Sequence, residues 1–151
     1  MRRLVLLCGA AIVVGCAKKE AEPAADTTAA APAPMMLTAA DVAGKWHVVV
    51  TPETSDSTVT EYDMTATAAD TGWVVSLPNR PPMSPRVMFS GDSVVMDMGP
   101  FESVLRKGVQ VTTHSVSRMQ GGMLVGTTTA HYATTSGDSV TVLRTRATRV
   151  P

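Results

Sequence analysis

The sequence predicts an all-β fold, an antiparallel up-and-down barrel of about eight strands, with a β-sandwich as the alternative. Three observations carry this expectation. From Gly44 onward apolar and polar residues alternate with period two, Val and Thr are abundant, and Gly, Pro or Asp breaks the pattern every several residues. The last three segments sort onto one apolar and one polar face under a single pairing register. No helical periodicity extends beyond one turn.

The chain has 151 residues, with 13 Lys and Arg against 13 Asp and Glu, 44% apolar and 4% aromatic residues. A balanced charge offers no basic excess for phosphates, which argues against nucleic-acid binding by bulk electrostatics. Cys8 and Cys16 both lie near the N-terminus, so no disulfide framework is expected.

The elements follow in order. Met1-Arg2-Arg3 is a positive start, and the apolar run Leu4 to Gly15 is 12 residues long. A membrane-spanning helix needs about 20 such residues and a signal-peptide core roughly 7–15, so residues 1–15 read as an export signal. The run ends in Val13-Val14-Gly15-Cys16, which resembles the lipobox of bacterial lipoproteins. That resemblance implies removal of residues 1–15 and lipidation of Cys16. Ala17, standing where retention in the inner membrane usually places Asp, implies the outer membrane, the periplasmic side being the favoured one of its two faces. The membrane is then a partner through the lipid, since several acyl chains hold a protein where one does so only marginally.

Residues 16–36 join that cysteine to the rest. The stretch KKEAEPAADTTAAAPAPMM, rich in Ala, Pro and Thr, has no apolar period and reads as a disordered tether. Its 19 residues span roughly 24 Å as a coil. The β domain is expected over 37–151.

Thr38 and Asp41 have capping-box spacing, which predicts one helical turn. Strands are then expected near 45–51, 57–67, 72–77, 86–90, 93–98, 101–106, 109–119, 123–134 and 139–149. A turn at Gly121-Gly122 pairs Met119 with Leu124. A turn at Ser136-Gly137 pairs Tyr132 with Thr141, Ala130 with Leu143 and Gly126 with Ala147. One face then holds Val109, Val111, Met119, Leu124, Ala130, Tyr132, Leu143 and Ala147. The other holds Gln110, Thr112, His114, Arg118, Thr129, His131, Arg144 and Arg146, so one side is packed and one is wet. The same parity turns Trp46, Val48 and Val50 inward in the first strand.

This register also points Arg149 inward, opposite Leu124, where a charge requires a partner. If the sheet closes first strand to last, Trp46 comes beside Arg149, and guanidinium covers indole. Gly44-Lys45-Trp46 after a helical turn, answered by an arginine in the final strand, resembles the lipocalin and wider calycin signature. The resemblance implies a barrel with Gly44, Trp46 and Arg149 as closure residues at one end and, at the other, a mouth for a small hydrophobic molecule. Tyr62, Met64, Trp73, Phe89, Met96 and Tyr132 are then the inward candidates for lining its site. The family's Thr-Asp-Tyr motif between later strands has no counterpart here.

Other motifs yield plainer readings. Gly91-Asp92-Ser93 and Gly137-Asp138-Ser139 are similar to the nucleophile block of one esterase superfamily, but Gly-Asp before alternating valines is hairpin chemistry. No base or oxyanion donors can be assembled around them, so no enzyme and no cofactor are expected. His114 and His131 share the outward face as diagonal neighbours, and two ligands do not make a metal site. Met83, Met88, Met96 and Met98 read as adaptable core filler rather than a copper cluster, Val94, Met96 and Met98 sharing the inward parity. The Pro-rich run from Leu77 to Pro85 reads as a rigid connection at the edge or mouth. Two function classes follow: a lipid-anchored carrier of a small hydrophobic molecule, or a solid-core structural or protein-interaction module of the cell envelope. An interior pocket of roughly 300 Å³ or more separates them.

Overall fold

A computed structural model describes residues 36–134 and 139–151. The signal, Cys16 and the tether up to residue 35 lie outside the described residues, as does the Gly137-Asp138 turn. One short helix, α1 (Ala39–Val42), precedes eight strands: β1 (Gly44–Pro52), β2 (Thr60–Ala66), β3 (Val74–Ser76), β4 (Arg86–Ser90), β5 (Ser93–Glu102), β6 (Gln110–Gln120), β7 (Met123–Tyr132) and β8 (Val140–Val150). They form a single antiparallel sheet in the order β3-β2-β1-β8-β7-β6-β5-β4, a strongly curled arrangement consistent with an up-and-down barrel.

Every strand pairs with its sequence neighbour except β3 and β4, and the first strand pairs with the last. The ladder therefore joins β1 to β8, and the sheet's two edges are β3 and β4. That seam is spanned otherwise. Val75 and Met83 exchange backbone hydrogen bonds of 2.8 and 2.9 Å, and the Trp73 and Phe89 rings meet edge to face at 6.3 Å. Pro78, Pro81, Pro82 and Pro85 fill the connection between the two edge strands, where a missing N–H costs no ladder bond. Val75 of one edge and Val87 of the other belong to one core cluster with Trp46, Tyr62, Met64 and Leu143, so the curl buries both edges' inner faces in common.

Parity follows the alternation. Val111, Leu124, Ala130, Tyr132, Leu143 and Ala147 are buried, while Gln110, Thr112, His114, Arg118, His131, Arg144 and Arg146 are exposed. Register differs in one hairpin. Gly121-Gly122 sets Met119 opposite Leu124 as the two-residue turn requires. In the β7–β8 pair, Ala130 faces Thr141 and Leu124 faces Ala147, a slide of two residues from the expected pairing. The Tyr132 N–H reaches the Ser139 carbonyl at 2.7 Å and that of Ala133 reaches Gln110, so a longer loop than two residues joins the strands. Because the slide is even, no side chain changes face.

The expected strands 93–98 and 101–106 are also corrected. Residues 93–102 form one strand whose register shifts between Met98 and Phe101, and the chain then turns. The Ser103 hydroxyl accepts the N–H groups of Leu105 and Arg106, both at 3.0 Å, which replaces ladder bonds with a local turn.

Candidate functional site

One end of the curled sheet is sealed by the chain's own entry. Thr38 donates its N–H and hydroxyl to the Asp41 carboxylate at 2.9 and 2.6 Å, and these bonds hold that carboxyl below its ordinary range. The turn so fixed drives Val42 into the core. Trp46, fully buried, donates its indole N–H to the Val42 carbonyl at 2.8 Å. Trp46 and Arg149 are direct cross-strand partners, and the guanidinium carbon lies 4.4 Å from the indole centroid. The same guanidinium donates to the carbonyls of Asp41 and Ala43, pinning the residues around the end of α1. Gly44 lies beneath it with φ +139, a conformation that L side chains rarely adopt, and a Cβ there would sit 2.6 Å from an Arg149 nitrogen and displace the guanidinium. The three proposed closure residues thus share one contact.

The opposite end is covered by two segments. Leu77 enters the interior from the Pro-rich connection, whose Arg80 lies 5.8 Å above the Phe101 ring and donates to the Glu102 carbonyl. The turn after β5 brings Val104 and Leu105 over the interior, while Arg106 covers the Tyr132 ring at 3.9 Å. The Gly108 N–H closes that turn on the Glu102 carboxylate at 2.8 Å.

Between these ends the interior is nearly full. The larger cavity, about 60 Å³, lies under the Ser103–Gly108 turn. A second, about 10 Å³, lies between Met64, Trp73 and Met96 on one side and Ser117, Thr145 and Ala147 on the other. Around the smaller cavity Ser115, Ser117, Thr128, Thr145 and Ala147 of β6 to β8 face Tyr62, Met64, Trp73 and Met96, so the interior fills despite few aromatics. Of the expected lining residues, Tyr62 borders both cavities, Tyr132 only the larger, and Met64, Trp73 and Met96 only the smaller. Phe89 borders neither and packs in the seam on Trp73. Burial disfavours the Tyr62 phenolate and pushes its pKa up to about 12.

No protein-family model, no curated protein and no solved structure matches this chain.

The outer face carries paired ionic groups. His47 sits 3.1 Å from Asp63 and 3.4 Å from Glu61, and His114 is 2.7 Å from Asp97. His114 and His131 are outward diagonal neighbours, facing Thr129 and Thr112 respectively. Among the described residues, no group of three His, Cys, Asp or Glu is placed to hold a metal ion. The methionines divide: Met96 is buried and Met98 packs on the core, whereas Met88 points outward opposite Val95. Met83 packs on the same core cluster as Met98. Gly91-Asp92 is the β4–β5 turn, and the Ser93 hydroxyl is engaged by Asp92 and by Arg118 at 2.9 and 3.1 Å.

Sequence reading missed the cover formed by Ser103 to Gly108, because Phe101 to Arg106 keeps the alternation of a strand. Only the serine and the glycine bounding that stretch hint at a turn.

Proposed function

We propose that the chain is a lipoprotein of the bacterial envelope, anchored through Cys16 to the outer membrane, whose β domain is a solid-core structural or protein-interaction module. One observation supports the second half of this reading: the largest interior cavity is about 60 Å³. A site enclosing a small apolar molecule needs roughly 300 Å³. Leu77, 7% exposed, fills the interior beside this cavity, while Val104 and Leu105, 40% and 39% exposed, border it from the surface. The motif around Cys16 and the short apolar run before it support the anchor. The lining of that cavity carries hydroxyl groups of Ser, Thr and Tyr but no charged side chain.

The test uses the full chain carrying Cys16→Ser, which the anchor reading expects to leave membranes for the soluble fraction. Titration with a fluorescent fatty acid is expected to give no saturable binding up to high micromolar ligand. Saturable one-to-one binding, displaced by unlabelled fatty acid, would overturn the solid-core reading.

A further inference from the structure

A hollow far larger than the interior cavities lies on the outer face of the sheet. Across β6, β7, β8 and β1 runs a groove of about 850 Å³. Pairing places Arg118, Val125, Arg146 and Val49 side by side in one cross-strand row. The next row holds Val116, Thr127, Arg144 and Thr51. Outward positions of a half-wet sheet are ordinarily polar, and Val49, Val116 and Val125 place apolar surface between the arginines of these two rows. They are half-buried among the arginines that flank them.

The charges on this groove are unequal. Three guanidinium groups line it, against the single carboxylate of Asp56. Arg144 meets Asp56 at 2.8 Å, but the Asp56 side chain is 99% exposed. Arg118 meets Asp92 at 3.2 Å, again at the surface. Exposed pairs of this kind contribute little and exchange readily for another carboxylate. Arg146 has no carboxylate within ion-pair distance among the described residues.

We propose that this groove is a docking site for an extended acidic segment of another protein, with carboxylates recurring on one side and small apolar residues between them. Geometry sets the spacing. Adjacent strands lie about 4.8 Å apart, so Arg118 and Arg146, two strands apart with Val125 between, stand about 10 Å apart. A polyproline-type segment repeats its face every three residues, about 9 Å, so an acidic residue at every third position meets successive arginines while the intervening residues cover the valine. The planar, always-charged guanidinium suits such carboxylate recognition better than an ammonium.

This inference rests on the interaction-module reading and names its surface. The probe is a labelled synthetic peptide, acetyl-Glu-Ala-Val repeated four times, titrated by anisotropy onto the full chain carrying Cys16→Ser. Micromolar binding is expected, falling steeply with salt and weakened at least about tenfold by Arg146→Glu, which breaks no ion pair among the described residues. Arg86→Glu, outward on β4 and away from the groove, is the control and is expected to leave binding unchanged. No binding at millimolar peptide, or binding that survives Arg146→Glu, would overturn the proposal. So would arginine-dependent binding to phosphatidylglycerol vesicles with none to the peptide, because a lipid surface would then be the occupant. Absence of peptide binding together with absence of fatty-acid binding removes this site alone. Saturable fatty-acid binding removes the reading beneath it.

Discussion

Arg149 stacks on Trp46 and directs its N–H groups at two carbonyls around the end of α1. A helix end leaves carbonyls without intrahelical partners, and a guanidinium satisfies several in one plane while an ammonium cannot. Arg149→Ala is expected to destabilise the domain by about 1–2 kcal/mol, the value for a partly exposed cation–π contact with charge-assisted hydrogen bonds. Arg149→Lys should restore little of it, and urea unfolding reads both. A lysine variant as stable as the parent would contradict this role. The buried Tyr62 gives a second expectation. Its pKa of about 12 exceeds the ordinary 10.0, so the folded chain keeps a proton that the unfolded chain releases first. The stabilisation is complete below pH 10 and drains as pH rises toward 12. Between pH 9 and 11 the parent should lose about 1 kcal/mol more than Tyr62→Phe, measured by urea midpoints at the two pH values. Equal losses would count against the burial argument.

Among elements, the β6–β7 hairpin has a close backbone approach at Gly126. Gly126 points inward where the two strands close on each other: an added Cβ would lie 2.0 Å from the Val116 carbonyl and 2.6 Å from the Ser117 Cα. Glycine is required there by proximity, since backbone cannot step aside as a flexible side chain can. Gly126→Val should cost about 3 kcal/mol, and exchange of the amides flanking positions 117 and 126 should accelerate before that of β1. Much of this level was legible in the sequence. Period two fixes which face each residue takes, and Gly121-Gly122 fixes one register, because a two-residue turn leaves no freedom. The β7–β8 register was not legible, since alternation is indifferent to a slide of two and loop length alone decides it. The missed turn after β5 has a similar cause. Val104 and Leu105 alternate acceptably with their neighbours, while the Ser103 hydroxyl and the Glu102 carboxylate divert the backbone. Trp46 and Arg149 could be paired from sequence because first-to-last closure makes them neighbours even though the register sets Ala147, not Arg149, opposite Leu124.

At the scale of the whole molecule, the two ends are covered by different means. Residues 37–43 and Arg149 seal one, and the Pro-rich connection with the Ser103–Gly108 turn covers the other. The interior holds small residues against large, and the outer face holds the larger hollow and the guanidinium groups. Chemistry available to a partner therefore lies outside the sheet. Residue-resolved NMR with palmitate tests this most directly, using the full chain carrying Cys16→Ser. At saturating fatty acid the account predicts unchanged amide shifts for Tyr62, Met98, Phe101 and Tyr132, which border the interior cavity. Saturable shifts at those four residues, with movement of Val104 and Leu105, would contradict it.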